Sequence, residues 1–566
     1  MTNYSRDVYR IATRSIGHLE GITVFRRSDA KTAQPLIHYF GGISYALPPQ
    51  RFRRPKALPD NYTYGTKDKP GKFGNKAKDA IHKTGICPQP PPVKRFPGVH
   101  VKPDTAGWQE DCLQLNIYIP AGKSPPASGW PVFFFIHGGF LQWGQANESP
   151  AAIAPLLSET AFEAIVVIPS YRLNLFGFLS SEELQAEAKK DGEAAGNMGF
   201  WDQRLALEWT GKQIGNFGGD VNNITVGGYS AGAHSAFHQL AHELYFVPDA
   251  EAVIKRVACW SNSPGVQPRT ASDHQKQFDE LLAALDIDKT KSGEKELKAL
   301  RDLDWEKLVA IQEKLRISEF RATTDNAFVP ASLMANISKG DFGRRMKERG
   351  IKFMNGECRD EHHLYRAWRT PRNSFNAIRD RLIADYPTDV VDKLLNYYCG
   401  ESDRTRGKPD GYRDWPELFG HIYADMQVHH LERGFQNALH KAGLAPGKDI
   451  FRYRFEWRAK CIDDMFQREW GVTHATDMSI WFWGLDYDNG RGLTDKDKAV
   501  IHPWNAAFAA FVKGENPQWG TDRGVEYVKR LRSDGEIDIW KDDRWRAGLT
   551  VWNMVNGSNS AIKAKV

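Results

Sequence analysis

Gly228-Tyr229-Ser230-Ala231-Gly232 places a serine hydroxyl where a nucleophile could stand. Ile224-Thr225-Val226, just before it, is a short β-branched run that reads as a buried strand. Ala233-His234-Ser235-Ala236-Phe237, just after it, reads as a helix. Strand, sharp glycine turn and helix form the setting in which a serine is lifted out of the sheet edge toward a substrate. The two glycines let neighbouring backbones pass close to a strained residue. The new helix aims its free N–H groups at the same point, where they stabilise negative charge. Alone, the pentapeptide is equally consistent with an ordinary glycine turn, so the other chemical groups decide.

An acyl-transfer serine needs a base to take its proton, an acid to orient that base, and donors for the oxyanion. With this kind of turn the order along the chain is Ser, then Asp or Glu, then His. His137-Gly138-Gly139-Phe140 follows a strand ending at Ile136 and is placed to supply oxyanion donors. Candidate acids follow the strand and turn of Ile351-Lys352-Phe353-Met354-Asn355-Gly356, where Glu357, Asp360 and Glu361 lie close together. The histidines beyond Glu361 are His362, His363, His421, His429, His430, His440, His474 and His502. Residue type and order alone leave several of them open.

The elements that must position these groups alternate between strand and helix. Trp130 to Ile136 and Ala164 to Ile168 are dense apolar runs that read as central strands of a largely parallel sheet. Strands near 132, 165, 225, 255 and 351 alternate with helical spacing such as Phe200 to Ile214, which Gly218-Gly219 stops. That pattern is α/β. Residues 268–345 are charged and helix-rich and read as a helical insertion on the sheet, with Glu294-Lys295-Glu296-Leu297-Lys298 a solvated face. Pro88-Gln89-Pro90-Pro91-Pro92 reads as the start of a surface loop.

Composition narrows the function classes. The chain has 566 residues, 41% hydrophobic and 26% charged, and a formal charge of only +6. Lys and Arg are scattered among acids, which argues against a nucleic-acid partner. No apolar run approaches the length of a membrane span. No secretory signal is visible in the first thirty residues, so an intracellular location is expected, with secretion requiring a removed leader. The six cysteines, Cys87, Cys112, Cys259, Cys358, Cys399 and Cys461, are too sparse for a disulfide scaffold and lack zinc spacing, so neither metal nor cofactor is expected. Length alone points to about three or four domains.

Five ordered motifs resemble the type B carboxylesterase and lipase family, the group that contains the cholinesterases. Phe40-Gly41-Gly42-Ile43-Ser44-Tyr45-Ala46, with Pro48-Pro49 and Arg51-Phe52, is similar to its N-terminal signature. Glu110-Asp111-Cys112-Leu113-Gln114-Leu115-Asn116-Ile117-Tyr118 is similar to its second. Ser170-Tyr171-Arg172-Leu173, then Asn197-Met198-Gly199-Phe200-Trp201-Asp202-Gln203, then Phe217 to Gly232 follow in order. The resemblance runs from about residue 20 to 555. It implies one α/β-hydrolase domain over 1–566, with a large, mostly parallel sheet flanked by helices and helical insertions over the active site.

The resemblance also assigns roles. It implies Ser230 as nucleophile, Glu361 as the acid five residues after a strand-end glycine, and His474 in Gly471-Val472-Thr473-His474 as base. Asp360 and Glu357 remain rivals on sequence alone. The amides of Gly139, Phe140 and Ala231 would form the oxyanion hole, and Ser261 and Asp477 would support the site from behind. Cys87 and Cys112 would lie within bridging distance as a possible disulfide, reduced inside a cell and open to oxidation on purification, and Cys259 would lack a partner. The expected reaction is hydrolysis of small carboxylic esters through an acyl-enzyme. Phe140, Trp143, Trp481, Phe482 and Trp483 point to apolar or aromatic esters, if they line the gorge.

Departures from the family pattern matter equally. Phe140 stands where a third glycine is usual, and a phenylalanine does not adopt positive φ cheaply. Its ring is expected to narrow the cavity beside Ser230. Tyr229 replaces the glutamate of cholinesterases, and Lys102 falls near their choline-binding tryptophan, so an acetylcholine specialist is not expected. The Cys87 to Cys112 loop is short and polar, unlike a lipase lid. An acyltransferase or lactone-opening enzyme would use the same triad, whereas a non-catalytic adhesion homologue would typically have lost one of its members.

Overall fold

The computed structural model describes residues 4–26, 34–74, 85–90, 107–289, 292–400, 407–484 and 492–557. Lys102 and most of the Cys87 to Cys112 loop lie outside the described residues.

The strands that carry the site are β1 (Gln114–Pro120), β2 (Trp130–Ile136), β3 (Ile165–Pro169), β4 (Gly219–Tyr229), β5 (Ile254–Trp260), β6 (Lys352–Cys358), β7 (Ile450–Phe455) and β8 (Tyr527–Leu531). They stand side by side in the order β1-β3-β2-β4-β5-β6-β7-β8 within a sheet of 13 strands. Every neighbouring pair from β3 to β8 is parallel, while β1 meets β3 antiparallel. Antiparallel strands at both edges, Tyr4–Ala12, His18–Arg26 and Pro35–Ser44 on one side and Ile537–Lys541 on the other, and the two-residue Gly71–Lys72 parallel to His18–Arg26, complete it.

The unbroken apolar run of β2 follows from burial on both faces. Trp130, Val132, Phe134 and Ile136 pack into one core, and Phe133 and Phe135 into the other. Side chains alternate along a strand, so a strand covered on both sides needs apolar residues at every position. Each such side chain contributes roughly 1.5–3 kcal/mol. The strands expected near 132, 165, 225, 255 and 351 are β2 to β6, and the helix expected at 200–214 spans Met198–Gln213. Gly218, at φ 81°, ends the turn after that helix.

Two family landmarks have a structural meaning. Arg172 and Asp202, 3% and 0% exposed, form a two-pronged pair with Nη2–Oδ1 at 2.7 Å and Nε–Oδ2 at 2.8 Å. A buried pair of this kind ties the β3 loop to the helix Met198–Gln213, because leaving either charge alone would be strongly unfavourable.

The helical segment expected at 268–345 holds Ala271–Ala284, Gly293–Asp302, Trp305–Gln312 and Leu333–Ser338, and Asp341–Glu348 follows. A second helical segment lies between β6 and β7, with Phe375–Ile383, Thr388–Cys399, Trp415–Ala424 and His430–Lys441. The sequence reading did not anticipate it. Two further expectations are corrected. Pro88, Gln89 and Pro90 are buried rather than on the surface, because Gln89 bonds through Nε2 to the Gly144 carbonyl at 2.9 Å and through Oε1 to the Gly144 N–H at 2.7 Å. Cys87 and Cys112 are free buried thiols, not a disulfide. They are neighbours nonetheless: hydrogen bonding with Cys87 is the largest influence holding the Cys112 thiol well above its ordinary pKa. Cys259 is a free thiol that donates to the Ala233 carbonyl at 3.3 Å.

Candidate active site

Ser230 is the first residue beyond β4 and sits at φ 57° and ψ −124°. Such a backbone costs on the order of 1–3 kcal/mol for a residue with a side chain, and persists only where its surroundings hold it. They do so here: the Ser230 N–H donates to the Trp260 carbonyl at 2.8 Å. The flanking glycines follow from close approach. A Cβ on Gly232 would stand 1.9 Å from the Ile136 carbonyl oxygen, and one on Gly228 would stand 2.2 Å from the Gly232 carbonyl oxygen.

His474 is 2% exposed and reaches Ser230 Oγ through Nε2 at 2.8 Å. Its Nδ1 meets Glu361 Oε2 at 2.6 Å, and Glu361 Oε1 accepts from the Cys358 N–H at 3.0 Å. The three residues expected to act together therefore form one hydrogen-bonded line. A carboxylate on Nδ1 fixes the tautomer that leaves Nε2 free to accept the serine proton.

The rival acids are occupied elsewhere. Asp360 Oδ2 accepts from the Val472 N–H at 2.8 Å and pairs with Arg359 at 2.9 Å. Gly471, at φ 55°, has no room for a side chain, since its Cβ would lie 2.2 Å from Asp360 Oδ2. Asp360 thus fastens the histidine loop, which accounts for the glycine three residues before His474. Glu357 is buried among His429, Arg433 and Arg454. Burial opposes its ionisation, but the guanidinium groups beside it, Arg433 foremost, hold it well below the usual carboxylate range.

Ser261 and Asp477 stand behind the line. Asp477 Oδ2 accepts from Trp481 Nε1 at 3.1 Å and from Ser261 Oγ at 3.4 Å. Burial, then the nearby charge of Glu361, push the Asp477 carboxyl up to about 6. Tyr365, which the sequence did not single out, brings its hydroxyl to 3.4 Å from His474 Nδ1.

The turn after β2 is strained at consecutive non-glycine positions, with Phe140 at φ 57° and Leu141 at φ 64°. Gln142 Nε2 bridges the carbonyls of Phe140 at 3.1 Å and Phe320 at 2.6 Å, while Arg321 also donates to the Phe140 carbonyl. The N–H groups of Gly139, Phe140 and Ala231 donate to no acceptor among the described residues. The Phe140 ring stacks flat on Trp368, with centroids 4.2 Å apart and planes 3° off parallel.

Ser230, Ala231 and Phe140 line a cavity of about 120 Å³. Of the five aromatics picked from the sequence, Phe140 alone lines it; Trp481, Phe482 and Trp483 pack into the core on one face of the sheet. Polar groups from the two helical segments and the β5 loop fill much of the remaining wall, among them Gln267, Arg269, Arg321 and Gln427. None of these was legible as a site residue, because each is far from Ser230 in sequence and carries no motif. The described residues contain no cluster of His, Cys, Asp and Glu fit to hold a metal ion. No helix among them is long and apolar enough to cross a membrane.

This combination of doubly covered parallel sheet, serine turn and buried imidazole is the α/β-hydrolase fold. The model of the carboxylesterase family matches residues 8–559, and the chain belongs to that family. It is 49% identical over 566 residues to a carboxylic ester hydrolase of Gibberella moniliformis, covering 100% of this chain and 99% of that protein. It is 37% identical to an uncharacterized esterase/lipase of Schizosaccharomyces pombe, over 96% of each chain. The solved structure of EstA from Aspergillus niger superposes with a TM-score of 0.68 at 20% identity, covering 97% of this chain and 99% of the other. The protein is thus a carboxylic ester hydrolase by family.

Two predictions follow from this geometry. Glu361→Gln should lower kcat by about 10⁴-fold, as loss of the orienting acid does in other triads. Asp360→Asn and Glu357→Gln should lower the melting temperature more than the activity of the folded enzyme; the reverse ranking would move the acid. The second concerns Asp477, whose folded pKa of about 6 lies above the usual 3.8. Between those values the folded state keeps a proton that the unfolded chain has released, so stability falls as pH rises. Relative to Asp477→Asn, the unsubstituted protein should lose up to about 3 kcal/mol between pH 4 and 7 in denaturant unfolding. A difference that stays constant with pH would contradict this.

Proposed function

We propose that this single-domain enzyme cleaves small carboxylic esters through an acyl-enzyme on Ser230. Ser230 Oγ attacks the ester carbonyl while His474 Nε2 takes its proton. The imidazolium then hands that proton to the departing alcohol. Water enters, gives a proton to the same nitrogen and attacks the acyl carbonyl, and the acid leaves as Ser230 recovers its hydrogen. Glu361 orients the ring and stabilises its charged form. The N–H groups of Gly139, Phe140 and Ala231 receive the charge that develops on the carbonyl oxygen.

The observation that carries this reading is the buried line from Glu361 through His474 to Ser230, ending on a cavity wall. The free N–H groups of the oxyanion turn support it from the opposite side. An intracellular location remains part of the proposal, supported by the few cysteines and their free thiols. An apolar or aromatic ester would meet an apolar wall made by Phe140, Leu141, Phe237 and Val266.

Ser230→Ala should remain folded and lose at least about a thousand-fold of the rate toward a simple aryl ester. A fluorophosphonate should add one label to the unsubstituted protein and none to the variant. A label that survives Ser230→Ala and maps to another residue would overturn the assignment.

A further inference from the structure

Beside the cavity lies a group of guanidinium ions with too few carboxylates. Arg321 pairs with Asp385 at 2.8 Å and Glu319 at 2.5 Å, and Arg381 pairs with Asp385 at 2.7 Å. Arg369 reaches Glu319 at 3.5 Å. Both carboxylates are thereby shared, and Asp385 also accepts from the Tyr423 hydroxyl at 2.8 Å. Three cations are held by two anions before Arg269 is counted.

Arg269 lines the same cavity as Ser230 and has no ion-pair partner among the described residues. Its Nη2 donates to the backbone carbonyls of Ile383 and, at 2.7 Å, Tyr386. Those bonds aim the guanidinium without neutralising it, and among the described residues Nε and Nη1 remain uncommitted. Asp385 and Asp273 act on it only at longer range, and Asp273 is itself engaged in capping a helix with Thr270. Burial works against its charge. A half-buried cation kept without a counter-ion is costly, and an anionic group entering the cavity would remove that cost.

The neighbouring wall is polar in the same sense. His234 lines the cavity and, among the described residues, makes no hydrogen bond through either ring nitrogen, and His238 beside it has an Nδ1 without a partner among them. Burial holds His234 neutral, with a pKa of about 4, so it offers a hydrogen-bond donor rather than a second full charge.

We infer that the ester accepted by this cavity carries a free carboxylate, bound by Arg269 with a neutral imidazole N–H from His234 alongside. The inference rests on the acyl-enzyme reading and names the substrate class for it. The carboxylate could sit on the acyl side, as in a half-ester of a dicarboxylic acid, or on the alcohol side, as in the ester of a hydroxybenzoate.

Two substrate pairs separate these cases. 4-Nitrophenyl hemiglutarate is compared with its methyl ester, and 4-acetoxybenzoate with its methyl ester, with Ser230→Ala giving the uncatalysed background. In one pair the charged ester should exceed the neutral one in kcat/KM by about tenfold or more, the scale of a hydrogen bond to a charged group. Arg269→Gln should collapse that ratio to near one, and Arg269→Lys should retain part of it. Equal or better turnover of the neutral ester in both pairs would overturn the inference, as would a ratio that survives Arg269→Gln. Fluorophosphonate labelling tells the two readings apart. Labelling at Ser230 with a ratio near one defeats the carboxylate inference alone, whereas absence of both labelling and turnover defeats the acyl-enzyme reading and this inference with it.

Discussion

The site depends on one backbone position held against its own preference. Ser230 stands at φ 57° and ψ −124°, outside the regions open to an ordinary side chain, and nothing local to a pentapeptide would keep it there. Its place is enforced by β4 and β5 running parallel, by the Trp260 carbonyl that takes its N–H, and by a helix starting immediately after it. The glycines on either side exist because the backbones of β2 and the helix pass too close for a Cβ. The doubly buried sheet is in that sense the support for a single strained residue.

The other two parts of the site are held in the same manner, by contacts distant in sequence. Asp360 pins the loop that carries His474, filling the space Gly471 leaves open. The turn after β2 keeps two left-handed residues, Phe140 and Leu141, because Gln142 and Arg321 take hold of the Phe140 carbonyl and Trp368 stacks on its ring. The family's usual glycine would need no such bracing. Here the cost of a phenylalanine is offset by a clamp from Arg321, which the β6 to β7 segment supports through Asp385.

What could be read from the sequence follows from which contacts are local. The central strands, the serine turn and the histidine loop each have a short signature, because the reason for each residue lies within a few positions of it. Glu361 needed the family resemblance; what separates it from Asp360 and Glu357 is their engagement with Val472 and Arg433, contacts across more than seventy residues. The wall of the cavity was not legible. Arg269, Asp385 and Gln427 meet only after two helical segments fold over the sheet, and neither their type nor their spacing marks them. The aromatic cluster Trp481-Phe482-Trp483 is ambiguous for the converse reason: its local pattern fits a core, the commoner case, or a gorge lining, and tertiary packing against Trp260 and Phe135 decides for the core.

The central claim is covalent, that an acyl group passes through Ser230, and it can be observed directly. Mixing excess enzyme with an activated aryl ester and quenching in acid within milliseconds should trap a protein heavier by one acyl group. Peptide mapping should place that group on Ser230, alongside a burst of released phenol equal to the enzyme concentration whenever deacylation is the slower step. A hindered acyl group such as pivaloyl, whose branching blocks the approach of water to the carbonyl, makes it so. Phenol released under those conditions without any acylated Ser230 peptide, or with the acyl group on another residue, would contradict the account.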